Sequence, residues 1–465
     1  MGMHLGDTIR QSSADIRLLW FSVFARMVAF GLTNQILTLY LKSLEIPESM
    51  IGIFMSLTMI GDSILSYLLT WNANAIGTRR VMRIGSFLMF FCGLFFASGT
   101  GDFRILLFAA IFGVISPSGG DTGPFKTIEE AVLAKLTPPN HRPEVYAVHG
   151  TLAAIGSSFG NLGAGFLVQT LVSRYKLTYR EAYCRSFIPF CIISLIKYAT
   201  MLFMSRKCEP NYILKFERVQ KPSDVPQISE DHDCSSSTTS TYPSESSPLI
   251  ESTIEHQTLT GLSPHSQNIL LKLLVPFMID SFGYGFMPSA WVVYYFKMKY
   301  MAAASVLGMI FCATDLIQSA SAVPSAWFSK HMGPLKSTLA VQIPCGIFFI
   351  LIPILGSTLP RATVLYLLNQ ATTAFDVVPR QILLTSLIDS NDLPKVLGTV
   401  NIGKQIARSI SPGFTGFLAE NGYLWVCFLI SGSLLILANI ILAIMFKGVD
   451  KIVEAKQSIE HEIER

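Results

Sequence analysis

The chain has 465 residues, of which 51% are hydrophobic and only 14% charged, with a mean hydropathy of +0.47 and a formal net charge of +4. A soluble core of this length does not need so much apolar surface, so a water-soluble globular protein is excluded and a multi-pass integral membrane protein is expected. Inside loops that meet anionic headgroups account for the small positive charge, which points to no nucleic-acid partner.

A membrane span needs about 20 mostly apolar residues at ~1.5 Å per residue. In chain order the apolar runs predict helices over 18–41, 49–71, 82–99, 104–136, 145–172, 182–204, 268–295, 302–328, 337–358, 361–389, 396–418 and 423–446. These are twelve spans, which divide the chain into an N-terminal six-helix part (1–205), a polar insert (206–266), a C-terminal six-helix part (267–448) and a tail (449–465). No basic start with a short apolar stretch and a small-residue cleavage site precedes span 1, so span 1 is expected to stay as an anchor, with both termini cytosolic. Arg79, Arg80, Arg83, Arg206, Lys207, Lys215, Arg218, Lys330 and Lys336 then fall inside, against Arg174, Lys176, Arg180, Lys297 and Lys299 outside, a bias that favours this orientation.

Several spans carry polar groups that lipid does not accommodate. Span 1 has Arg26 and Asn34. Span 2 places Thr58, Asp62 and Ser66 on one face, and span 4 has Lys126, Glu129 and Glu130. Arg26 is positioned to neutralise Asp62 or Glu129. The two glutamates stand about two turns from the cytosolic end of span 4, as interfacial residues or as an intracellular gate. Asp62, Asp280 and Asp315 lie near mid-span, where desolvation favours the protonated form; with Glu129 and Glu130 they are the proton-coupling candidates. Tyr284 follows Asp280 by one turn.

Span 10 projects Asn369, Thr373, Asp376 and Arg380 from one face, and span 11 does the same with Asn401, Lys404, Arg408 and Ser411. Two readings stay open for these stripes: an internal salt-bridge network that fixes packing, or a site for a solute. With Arg26, Asn34 and Tyr284 these residues, Ser411 aside, make up the candidate substrate site. The basic cluster Arg26, Arg380, Lys404 and Arg408 favours a small organic anion or zwitterion.

Span 4 is too long for one straight crossing, and SPSGGDTGP supplies residues that break a helix. Asp121 then caps the lower half-helix with Pro124 in its first turn, or the half-helix dipole faces an anion. Pro124 and Pro379, each three residues after an Asp in an apolar run, stand 255 positions apart (379 − 124), and Gly77 and Gly333 stand 256 apart (333 − 77). A duplication explains both offsets.

The insert is rich in Ser, Thr, Pro and acid, which reads as a flexible cytosolic linker. Within it Glu245, Leu249 and Ile250 fit the acidic dileucine pattern that sorting adaptors read on the way to vacuoles or lysosomes, and the surrounding serines suit kinases. The membrane is therefore a vacuolar or other endomembrane, or the plasma membrane. The eight cysteines show no CxxC pairing, so neither a zinc site nor a disulfide framework is indicated, and without a P-loop no cofactor or ATP drive is expected.

The loop after span 2, Asn74, Ala75, Ile76, Gly77, Thr78, Arg79 and Arg80, resembles the D-R-x-G-x-R-R loop of the major facilitator superfamily, with Asn for Asp and Ala for Arg. Lys330 to Lys336, around Gly333, is a weaker copy. The blocks SPSGGDTGPFKTIEEAVLAKLTP, DVVPRQILLTSLI and GTVNIGKQIARSISPGFTGF are similar to a fungal and bacterial branch of that family. The resemblance implies an all-α membrane fold of two six-helix bundles and a monomeric secondary transporter, not an enzyme, with a small-molecule substrate held between spans 1, 4, 7 and 10. Span 5 has Asn161 where the antiporter signature of the family places Pro, a departure from the drug/proton antiporters. The rival reading is a nutrient sensor that signals through the insert.

Overall fold

The structure, a computed structural model, describes residues 12–113, 115, 124–138, 141–209, 263–376, 379–380, 383, 387–388, 392–448 and 450. Among them every regular element is helical. The first half contains α1 (Ala14–Ser43), α2 (Glu48–Trp71), α3 (Thr78–Ala97), α4 (Phe103–Phe112), α5 (Pro124–Leu136), α6 (Arg142–Ser173) and α7 (Tyr179–Leu202). The second contains α8 (Pro264–Phe286), α9 (Ser289–Tyr300), α10 (Ala304–Met332), α11 (Pro334–Leu355), α12 (Leu359–Phe375), α13 (Leu393–Glu420) and α14 (Leu424–Met445). Polar residues start several helices ahead of the apolar runs: Ser13 caps α1, Ser263 caps α8, and Thr178 with Glu181 forms a capping box on α7.

Nine helical segments among the described residues are long and apolar enough to cross a membrane. Spans 4, 10 and 11 fall short of that standard. The first is broken between α4 and α5, the second stops at 17 residues, and the third carries Lys404 and Arg408. Outward faces carry large exposed apolar side chains such as Phe87, Ile188, Leu355 and Phe417, which lipid accommodates and water does not.

Two predicted helices are corrected. Span 7, expected to be continuous over 268–295, divides at Met287, because Pro288 has no N–H to donate and disfavours helical geometry in the residue before it. The Phe286 carbonyl at this break accepts from Thr415 Oγ1 at 2.6 Å. Span 10, expected to be continuous over 361–389, is interrupted: α12 stops at Phe375 with Asp376 as its C-cap, and helical residues follow at 379, 380, 383 and 387. Pro379 cannot bond back to the Phe375 carbonyl four residues earlier, and Ser325 Oγ of α10 donates to that carbonyl instead, at 2.6 Å.

In the first half α1 packs on α6 and α7, and α3 on α7; in the second α8 packs on α13 and α14, and α11 on α12 and α14. The halves join through α2 with α13 and α6 with α10. Both crossings are backbone on backbone. A Cβ added to Gly52 would lie 2.4 Å from the Pro412 carbonyl oxygen and 2.8 Å from the Gly416 Cα; one added to Gly165 would lie 2.4 Å from the Ala304 oxygen and 2.9 Å from the Gly308 Cα. Gly52 and Gly308 stand 256 positions apart (308 − 52), the same offset as Gly77 and Gly333.

Both crossings lie toward the end that bears the α1–α2 loop. Other ties between the halves collect there too: Tyr294 OH donates to Glu48 Oε1 at 2.8 Å, the Gly413 N–H donates to Ser56 Oγ at 2.9 Å, and Lys297 sits over the Tyr179 ring at 4.9 Å. At the opposite end Gly77 and Gly333 adopt φ of 95° and 83°, the left-handed region that favours glycine in such turns. Asp450 accepts from the N–H groups of Leu335 and Lys336 at the start of α11. The insert begins as a packed turn, Arg206–Cys208, with Cys208 buried and its carbonyl bonded by Thr78 Oγ1 at 2.7 Å. Glu245, Leu249, Ile250 and Asp121 lie outside the described residues.

Candidate functional site

A cavity of about 140 Å³ opens between the two halves. Asn34 of α1 and Ser157 and Asn161 of α6 line it from the first half. The larger share comes from the second half: Tyr284 and Ser289 beside the span 7 break, Thr314, Asp315 and Gln318 of α10, Tyr366, Asn369 and Gln370 of α12, and Arg408 of α13. Phe311 and Phe349 supply apolar wall. Polar side chains of this number in mid-membrane need water, a ligand or one another.

Part of the wall is a continuous string of hydrogen bonds between the halves. Ser289 Oγ donates to Asn34 Oδ1 at 2.6 Å, Asn34 Nδ2 to Asn161 Oδ1 at 3.2 Å, and Asn161 Nδ2 to Asp315 Oδ2 at 2.8 Å. Gln35 Nε2 also donates to Asn161 Oδ1 at 3.2 Å. Asn34 and Ser289 are 255 positions apart, the offset of Pro124 and Pro379, so equivalent positions of the duplication touch each other. Both side chains of this contact between the halves line the cavity. Asn369 is held from behind by the Cys345 carbonyl (3.0 Å) and by Gln370 (3.0 Å), and Thr373 bonds the Cys345 thiol at 3.1 Å.

Toward the opposite end from the glycine crossings, Arg380 bridges two carboxylates. Its Nη1 is 2.8 Å from Asp280 Oδ2 and its Nε 2.6 Å from Asp376 Oδ2. Arg380 and Lys404 both stand over the Phe277 ring, at 4.9 and 5.9 Å. Asp280, Asp376, Arg380 and Lys404 therefore balance as a set. Arg408 is the remaining cation: it stacks over the Tyr284 ring at 5.2 Å, faces the cavity, and among the described residues forms no ion pair.

Comparison with known proteins fixes the family. The model of the Major Facilitator Superfamily matches residues 19–292. An uncharacterised membrane protein of Saccharomyces cerevisiae is 44% identical over 446 residues, 94% of this chain and 95% of its own. The chain belongs to the major facilitator superfamily. The fold agrees with solved members: a bacterial homologue of the iron transporter ferroportin in an inward-facing state (TM-score 0.67, 11% identity, 94% and 100% of the two chains) and a D-xylose–proton symporter (TM-score 0.66, 15% identity, 93% and 98%). The protein is thus a multi-pass membrane protein with a transporter fold and not an enzyme. These relatives give no support to the sensor reading.

Within this facilitator fold the sequence-predicted residues separate into three groups. Asn34, Tyr284, Asn369, Arg408 and Asp315 line the cavity, and Thr373, Asp376, Arg380, Asp280 and Lys404 lie in the adjoining polar layer. Asn401 is exposed and not among the cavity residues. Arg26 belongs to a different cluster, inside the first half, where its Nη2 is 2.7 Å from Glu129 Oε2; Glu129 also takes Lys197 Nζ at 3.0 Å and Ser22 Oγ at 2.9 Å. Glu129 is 0% exposed, enclosed by the side chains of the first half, while Glu130 beside it is partly exposed. Asp62 is buried on α2. Asn74 lies in the one-turn helix Ala73–Ile76, with Arg79 half-buried and Arg80 exposed after it, and Pro124 opens α5.

Sequence reasoning missed Lys197, although a lysine inside CIISLIKYATML is as conspicuous as Arg26. It noted Asn161 only as a departure from a signature, and it passed over Ser157, Gln318, Gln370 and Ser289. Amides and hydroxyls are common enough in membrane helices that only the fold shows which of them converge.

Proposed function

We propose that this protein is a secondary active transporter working by alternating access, and that the cavity between the halves takes a small polar solute bearing an anionic group, an organic anion or a zwitterion. Arg408 carries the reading. A desolvated guanidinium is stable in mid-membrane only when an anion or aligned dipoles compensate it. Asp280 and Asp376, the carboxylates of the adjoining polar layer, are taken by Arg380. The solute completes the site. Cytosolic termini would put the glycine crossings at the outer face, making this conformer closed to the outside. Proton coupling would fall to Asp315, since it lines the cavity while Asp280 and Glu129 are held by cations.

The test is flux into proteoliposomes from a radiolabelled panel of organic acids, amino acids and sugars, comparing wild type with Arg408→Gln. The expected result is uptake of an anion-bearing member by wild type, reduced about tenfold or more in the variant, since hydrogen bonds between charged groups are worth roughly 1.5–3 kcal/mol. Equal uptake by both proteins removes Arg408 from the site, and exclusive uptake of sugars refutes the anionic solute.

A further inference from the structure

Resting on the transporter reading above, we infer that the solute is a small zwitterion whose anionic group meets Arg408 and whose ammonium meets Asp315. Among the residues that line the cavity, Arg408 is the one basic side chain and Asp315 the one carboxylate. They stand on different helices, α13 and α10, and form no ion pair with each other. The cavity therefore presents two opposite charges that do not neutralise one another, in a place where uncompensated charge is expensive. A simple anion satisfies one and leaves the other; a zwitterion satisfies both.

The groups facing Asp315 fit this role. Asn161 of α6 donates to its Oδ2 at 2.8 Å, which fixes the carboxylate's direction without neutralising it. Ser157, Tyr366, Gln370 and Cys345 surround the same cavity, and none of them is a cation. Tyr284 holds the guanidinium face, and the amides of Asn34 and Asn369 line the same cavity as neutral donors and acceptors. A volume of about 140 Å³ is well under the roughly 300–1,000 Å³ of drug-sized sites, so the two charges of the ligand are separated by a short spacer. Because Asn161 belongs to the first half and Asp315 to the second, an ammonium arriving at Asp315 acts directly on a bond that joins the halves. A proton on Asp315 and the ligand ammonium are alternatives.

The experiment is a thermal-shift and counterflow series on the purified full-length protein with glycine, L-alanine, 4-aminobutyrate, acetate, succinate, ethylamine and xylose as probes. The expected result is stabilisation and exchange by one or more of the three amino acids, at concentrations about tenfold or more below those at which acetate or ethylamine acts. Asp315→Asn is then expected to lose the preference for the amino acid over the matching carboxylate, and Arg408→Gln the preference over the matching amine. Tighter action by acetate or succinate, unchanged by Asp315→Asn, overturns the zwitterion and leaves an anion transporter standing. A response to xylose alone overturns both readings, and absence of any response to the three amino acids overturns the zwitterion.

Discussion

Arg380, just past the end of α12, and Arg408 of α13 both belong to the second half, and their surroundings give them different work. Arg380 holds Asp280 and Asp376 at 2.8 and 2.6 Å, so Arg380→Gln strands two carboxylates in the membrane. Breaking a buried pair by removing one partner costs about 3–5 kcal/mol, and a large fall in the unfolding midpoint of the purified protein is expected. Arg408 has no such partner among the described residues, so Arg408→Gln should leave the midpoint within about 1 kcal/mol of wild type or raise it, while lowering flux about tenfold or more. A matched loss of stability in the two variants would show that Arg408 is structural. Glu129 repeats the first case in the other half. Glu129→Gln leaves Arg26 and Lys197 facing an uncharged amide, with an expected loss of about 3–5 kcal/mol in the same measurement.

At the scale of elements, proline decides where spans 7 and 10 break, and a neighbouring hydroxyl bonds a carbonyl at each of these two breaks. Pro379 removes the bond to the Phe375 carbonyl, and Ser325 Oγ replaces it at 2.6 Å. Ser325→Ala should cost about 1–3 kcal/mol through the unsatisfied carbonyl, and that penalty should shrink in a Pro379→Ala background, where residue 379 regains an N–H. A double-mutant cycle on the unfolding midpoint measures the coupling, and a penalty of equal size in both backgrounds would refute the repair. These breaks also show what was legible in the sequence. The helices were legible because roughly 20 apolar residues in a row leave lipid few alternatives, and Pro124 marked the start of α5. The split at Met287–Pro288 was not, because the apolar run of span 7 continues straight through it. The stripe Asn369, Thr373, Asp376, Arg380 shares one face only of an uninterrupted helix, yet α12 ends at Phe375, and the cavity takes Asn369 while the ion cluster takes Asp376 and Arg380. Spacing along one helix identifies a polar face; which groups on other helices complete it depends on packing that a single helix does not encode.

For the molecule as a whole, the duplication visible in Gly77 and Gly333 reappears in the contacts between halves. Gly52 meets Gly416 and Gly308 meets Gly165, so two crossings of the same kind join the halves, beside the direct bond from Ser289 to Asn34. Backbone-on-backbone contact has no side chains to unlock, and two helices joined this way can roll apart and return without repacking a core. Closure of the end bearing the α1–α2 loop should therefore depend on the absence of a Cβ at these positions. Gly52→Leu puts a side chain where the Pro412 carbonyl lies 2.4 Å from an ideal Cβ, and neither backbone can yield locally. The expected outcome is a folded protein that elutes as wild type in gel filtration, is held open at that end, and does not cycle. A cysteine introduced at Ser49 beside the crossing reports the change: an impermeant maleimide should label it several-fold faster when Gly52→Leu is present, with flux lost in the same liposomes. Gly308→Leu, at the equivalent position of the other half, should do the same by prying α10 from α6. If either variant transports at the wild-type rate, its crossing is not part of the closing contact, and the tie between Glu48 and Tyr294 at 2.8 Å becomes the feature that holds this end shut.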